Sequence, residues 1–267
     1  MVDDAETSGT IQLPDVLLSY SARGRGPVVV NAHGLTRSRR SVARFELADF
    51  SPVASAGHRL VSYDARGHGE SSGTPSREDY TWSALSGDML ALIDHFSPDA
   101  PVDGIGLSMG TGTLLHAVTQ SPERFNRVVL TAPPTAWETR TAQADIYRQM
   151  AELVEKAPPD EAADILAQSR RPAPIFDDVP GYPPAPDISY ELLPTVFRGA
   201  GIADFPTREA IGAISKPTLI LAWATDPGHP ISTAEELASL IPRSVLHVSE
   251  TSADLRTWGD RAAEFLS

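Results

Sequence analysis

Between Gly104 and Gly112 the chain reads GIGLSMGTG, which sets Ser108 in a G-x-S-x-G pattern. The residues before it, PVDGIG, form a short apolar run of strand type, and GTGTLLHAVTQSP after it carries a helical pattern. A serine on a tight strand-to-helix turn is lifted above the sheet with a helix N-terminus beneath it, as a nucleophilic hydroxyl requires. Gly106 and Gly110 remove side chains where strand and helix crowd together. An ordinary glycine-rich turn that holds a serine is the plain alternative. A serine hydroxyl is a poor nucleophile until a base within hydrogen-bond reach takes its proton. The chemistry therefore turns on which of the seven histidines could do so.

The elements that must position this serine can be read from the apolar runs. TIQLP and VLLSYSARG read as an opening hairpin closed by RGRGP. PVVVNAHG is a continuous β-branched run, the mark of a strand buried on both faces. HRLVSYDARG, PVDGIGLS, FNRVVLTAPP and KPTLILAWATD repeat that form, with SVLHVSE as a weaker last strand. In TWSALSGDMLALIDHF, the residues Trp82, Leu85, Met89, Leu92, Ile93 and Phe96 follow one helical face. STAEELASLIP opens with Ser232 three residues before Glu235, the spacing of a capping box. Strands alternating with helices predict an α/β fold: a mostly parallel central sheet of about eight strands, with helices on both faces.

The alternation stops after the sixth strand, between about Ala136 and Arg208. That segment has an amphipathic helix carrying Ile146, Met150, Leu153 and Val154, a second around Ile165, a proline-rich stretch, and YELLPTVFRG. A structureless loop of that length is unusual in a compact domain, so residues 136–208 are expected to form a helical lid inserted in a core of residues 1–135 and 209–267. IFDDVPGYPP would put aromatic and apolar side chains near the entrance or into the lid's own small core. Arg170 and Arg171 are the basic pair there that could meet a charged acyl group.

Composition mostly excludes. The chain has no cysteine, which removes disulfides and a thiolate nucleophile. Its formal net charge is −13, from 35 acidic and 22 basic residues, a balance that repels nucleic acid and anionic membranes. The start, MVDDAETSGT, has no basic and apolar signal-peptide pattern, and no apolar run approaches the roughly 18 residues of a membrane span. The expectation is a cytoplasmic protein acting on a small molecule, with no metal or organic cofactor; oligomeric state is not readable.

Four motifs in order carry a resemblance. NAHGLT is similar to a His-Gly turn after the third strand, YDARGHGESS to a D-x-R-G-H-G-x-S turn after the fourth, GLSMG to a nucleophile elbow, and WATDPGHP to an acid-bearing loop. Over nearly its whole length the chain resembles the α/β-hydrolase family, in its serine-nucleophile, lid-bearing branch. The resemblance implies that Ser108 is the nucleophile, that Asp226 is the acid, and that the backbone N–H groups of Leu35 and Met109 form the oxyanion hole. Asp64, Arg66, His68 and Gly69 would stabilise their turn, and His33 its own. Serine rather than aspartate at the elbow argues against the branches that attack through a carboxylate.

The chain departs from the family at the base. The family's histidine lies in the loop after the last strand, and Asp254 stands there instead. Three readings follow. His229, three residues after Asp226 and just before a helix N-terminus whose dipole disfavours imidazolium, could be the base, oriented by Asp226 or by Asp254 across the site. His247, inside the last strand, could serve if the register slips; otherwise it packs against a helix. Or no triad exists. The implied activity is serine esterase or lactonase chemistry on a small, largely apolar molecule. A C–C bond hydrolase and a non-catalytic small-molecule-binding relative are the alternatives.

Overall fold

The computed structural model describes residues 6–43, 47–158, 161–169 and 172–267. The acidic start before Glu6 and the Arg170–Arg171 pair lie outside the described residues. Eight strands form one sheet: β1 (Thr7–Gln12), β2 (Leu17–Arg23), β3 (Val28–Ala32), β4 (Arg59–Tyr63), β5 (Val102–Leu107), β6 (Phe125–Thr131), β7 (Thr218–Trp223) and β8 (Ser244–Ser249). Their spatial order is β1-β2-β4-β3-β5-β6-β7-β8. β1 and β2 pair antiparallel, as do β2 and β4, and every later pairing is parallel. The opening hairpin turns at Leu13–Val16, where the Leu13 amide donates to the Val16 carbonyl at 2.9 Å. RGRGP instead leads into β3, with Gly24 and Gly26 at φ +78° and +117°.

Helices fill the crossovers. Two short ones, α1 (Arg39–Ala43) and α2 (Ser51–Ser55), precede β4; α3 (Trp82–Phe96) and α4 (Met109–Gln120) flank β5. Between β6 and β7 come α5 (Arg140–Lys156), α6 (Ala162–Ser169), α7 (Leu193–Ile202) and α8 (Arg208–Gly212). The chain ends with α9 (Ile231–Leu240) before β8 and α10 (Ser252–Leu255) and α11 (Trp258–Phe265) after it.

β7, TLILAW, is buried at every residue because both of its faces are covered. Alternate residues point to opposite sides. Val28, Val30 and Ala32 join a core with Leu85 and Met89 of α3, Leu114 and Leu115 of α4 and Leu237 of α9. Val29 faces the other way, into a core with Val53 of α2 and Trp258 and Ala262 of α11. α9 starts two residues earlier than its capping-box spacing suggests. Pro230 occupies the N-cap, with its carbonyl accepting the Thr233 amide at 3.0 Å, so Ser232 caps nothing.

The segment between β6 and β7 has a small core of its own, Ala151, Val154, Leu166, Leu193, Val196 and Phe197, closed on Tyr80. Buried Arg140 ties α5 to the end of α7 and to α3: its guanidinium donates to the carbonyls of Ala203 at 2.9 Å and Ala200 at 2.7 Å, and lies 4.3 Å from the Trp82 ring centroid. Ile175, Phe176 and Val179 of IFDDVPGYPP join the α11-side core with Trp223 and Trp258 rather than this small one.

The β5–α4 crossing shows why the glycines flank the serine. A Cβ on Gly106 would strike the backbone of Gly110, and one on Gly110 would strike the Ala32 carbonyl of β3. Backbone cannot yield as a flexible side chain does. Gly110→Ala is expected to cost about 3 kcal/mol or more, read as a lowered urea midpoint. A variant as stable as the parent would contradict this packing.

Candidate active site

Ser108 sits at the N-cap of α4 with φ +54° and ψ −108°, a conformation that costs a non-glycine residue free energy and persists only where its surroundings enforce it. They do so here by hydrogen bonds. The Ser108 amide donates to Thr131 O at 2.9 Å, and the Gly112 amide donates to Ser108 O at 3.2 Å. The Thr111 hydroxyl reaches both Gly106 O and Thr131 O at 2.7 Å. Gly34 comes close enough that a Cβ there would lie 3.4 Å from the Ser108 Cβ. This brings the turn holding Leu35 beside the elbow. Among the described residues, neither the Leu35 nor the Met109 amide donates to a backbone carbonyl.

His229 meets the serine. Its Nε2 lies 2.7 Å from Ser108 Oγ, and its Nδ1 lies 2.8 Å from Asp226 Oδ2. A carboxylate only accepts, so the ring proton is on Nδ1 and Nε2 is left to accept the serine hydroxyl. The loop that holds Asp226 and His229 is braced: the Gly228 amide donates to Asp226 Oδ1 at 2.8 Å, the His229 amide to Asp226 O at 3.1 Å, and the Trp223 indole to Asp226 Oδ2 at 3.1 Å. Burial alone would raise the Asp226 pKa. The hydrogen bond and charge of His229, with the Gly228 and Trp223 donors, outweigh it and lower the value to about 2.

Asp254 is not part of this arrangement. Its carboxylate faces His247 Nε2 at 2.8 Å and also takes Arg261 and the Thr257 hydroxyl, each at 3.2 Å. The sequence alternative in which Asp254 orients His229 is therefore incompatible with the structure, because its oxygens are committed beside β8. His247 lies within β8, paired in register with Leu221 of β7. His33 uses both ring nitrogens locally: Nε2 accepts the Ala65 amide at 2.9 Å and Nδ1 donates to Gly34 O at 2.8 Å. Burial lowers its pKa to about 4, so it stays neutral. Asp64 accepts the Arg39 and Glu70 amides at 2.9 and 3.0 Å, and Arg66 bonds Asp15 and Asp88; these residues brace the turn.

A cavity of ≈ 390 Å³ opens over Ser108 and His229. Its wall is largely apolar, with Leu35, Leu107, Ile146, Met150, Phe176 and Trp223, and α5 also brings Gln143 and Tyr147. Arg37 supplies a cation, its Nη1 donating to Pro184 O at 2.9 Å. Sequence reasoning missed Arg37 and Trp223. Arg37 follows the NAHGLT turn directly, a signal that could have found it; Trp223 reads as one more buried strand residue.

Comparison with known proteins accords with this architecture. A family model described as alpha/beta hydrolase fold matches residues 27–254. The curated 3-oxoadipate enol-lactonase 2 of Acinetobacter baylyi is 29% identical over 251 residues, 91% of this chain and 88% of its own. The solved enol-lactonase of Burkholderia xenovorans LB400 superposes with a TM-score of 0.77 at 20% identity, covering 97% of this chain and 99% of that one. An esterase from Exiguobacterium antarcticum gives 0.73 at 18% identity, covering 96% and 97%. No described helix is long and apolar enough to cross a membrane. Since the matched span runs from the start of β3 past β8 and takes in the elbow and the Asp226–His229 loop, the chain belongs to the alpha/beta hydrolase fold family.

Proposed function

We propose that this hydrolase cleaves an ester or lactone of a small, largely apolar molecule through an acyl-enzyme on Ser108. The observation that carries the reading is the 2.7 Å contact from Ser108 Oγ to His229 Nε2, continued to Asp226. His229 takes the hydroxyl proton as Oγ bonds to the substrate carbonyl carbon, and the carbonyl oxygen becomes an anion. The amides of Leu35 and Met109 stabilise that charge, a contribution worth on the order of 10²- to 10³-fold in rate per donor. The tetrahedral centre collapses, His229 gives its proton to the leaving alkoxide, and the acyl group stays on Oγ. Water, deprotonated by the same imidazole, then attacks the ester, and Ser108 recovers its proton as the acid departs. Asp226 holds the imidazole in the required tautomer and stabilises the imidazolium that forms transiently.

Residues 136–208 act as a lid in this reading, with α5 over the pocket and the 172–183 stretch as a facing wall. A cavity of ≈ 390 Å³ with mostly apolar walls suits a small substrate. The enol-lactonase and esterase relatives support the ester and lactone class. A protein that only binds has no need of a base on the serine.

The test is hydrolysis of p-nitrophenyl acetate, p-nitrophenyl butyrate and the aromatic lactone dihydrocoumarin. The wild type is expected to turn over both esters with an initial burst of p-nitrophenol, and to open the lactone. Inertness toward all three would overturn the proposal.

A further inference from the structure

Acid and base in this chain sit three residues apart on one loop, so neither can serve as an independent anchor for the other. Trp223, the last residue of β7, ties that loop to the sheet. Its indole N–H donates at 3.1 Å to Asp226 Oδ2, the oxygen that also takes His229 Nδ1 at 2.8 Å. The ring meets the His229 imidazole edge-on, with centroids 5.0 Å apart and planes at 71°. It is itself held in place: 7% exposed, stacked on Trp258 at 5.7 Å and 11°, and edge-to-face with Phe176 at 5.2 Å. Trp258 is fully buried and spends its own N–H on Ser249 Oγ at 2.9 Å. The Asp226 carboxylate thus has three donors on two oxygens, and one of the three is attached to the rigid sheet.

We infer that Trp223 is a positioning residue: its indole N–H fixes the Asp226 carboxylate in the plane that aims His229 Nε2 at Ser108, and its ring, packed against the imidazole, limits rotation of that ring. The inference rests on the proposed Ser108–His229–Asp226 chemistry. Trp223 acts through Asp226 and His229. Besides those two, the charged side chain lining the cavity among the described residues is Arg37.

Losing a hydrogen bond to a charged group corresponds to a fall in kcat of about tenfold to a hundredfold, and this is the expected effect of Trp223→Phe. KM for p-nitrophenyl butyrate is expected to stay near the parent value in a variant that keeps the bicyclic ring in the cavity wall and loses only the N–H. Replacing Trp223 by benzothienylalanine, which exchanges the N–H for sulfur in a ring of the same shape, should reproduce the fall in kcat and covers the case in which Trp223→Phe fails to fold.

A benzothienylalanine variant with the parent's kcat would overturn the inference, as would one whose loss lies in KM with kcat unchanged. His229→Ala, assayed alongside, separates the two levels. If it retains activity, the underlying triad chemistry fails; if it is inactive while the Trp223 variants match the parent, only the positioning role fails.

Discussion

His229→Ala is expected to lower kcat for ester hydrolysis on the order of 10⁴- to 10⁶-fold, while His247→Ala keeps the wild-type rate. The contrast follows from where the two imidazoles point. His229 presents Nε2 to Ser108 Oγ at 2.7 Å, whereas His247 presents Nε2 to Asp254 beside the edge strand. Ser108→Ala should fall as far, and the Ser108→Ala/His229→Ala pair little further, because residues that act as one unit are grossly non-additive. Equal loss in the two histidine variants would contradict the geometry. So would activity in His229→Ala that His247→Ala lacks.

Asp226→Asn is expected to cost about 10⁴-fold in kcat, because the amide no longer enforces the tautomer with its proton on Nδ1. It also carries a stability signature. The Asp226 pKa in the fold, about 2, is depressed from the ordinary 3.8. A depressed carboxylate contributes stability that is fully present above the unfolded value and is lost as pH falls through the folded one. The stability difference between wild type and Asp226→Asn should therefore hold above about pH 4 and disappear toward pH 2. Urea midpoints over that range measure it, and a difference that grows on acidification would contradict the sign.

Much of this could be read before any coordinates. The eight strands were legible because buried parallel strands demand β-branched runs, and VVVNA and TLILAW have no other use for so many apolar residues in a row. The tight turn at Ser108 was legible from its flanking glycines, because the packing of α4 on β5 and β3 leaves no room for a Cβ on Gly106 or Gly110. Which histidine meets Ser108 stayed open among His229, His247 and none, since loops after β7 and β8 both leave the same end of the sheet and their paths are set by tertiary contacts. The pairing of Asp254 with His247 and Arg261, and of Asp226 with His229 and Trp223, is a choice among short polar side chains that no periodicity records. Trp223 escaped notice for a related reason. An aromatic at a strand end looks like core packing, and its packing on Trp258 fits that description; only the direction of its N–H sets it apart.

The central claim is that Ser108 is a nucleophile activated by His229, and covalent capture by a fluorophosphonate tests it most directly. Intact mass and peptide mapping of the wild type, Ser108→Ala, His229→Ala and His247→Ala after identical exposure read the outcome. The account predicts one adduct per chain on Ser108 in the wild type and in His247→Ala, none in Ser108→Ala, and labelling slowed by orders of magnitude in His229→Ala. An unlabelled wild type, an adduct on another residue, or a His229→Ala variant labelled at the wild-type rate would contradict it.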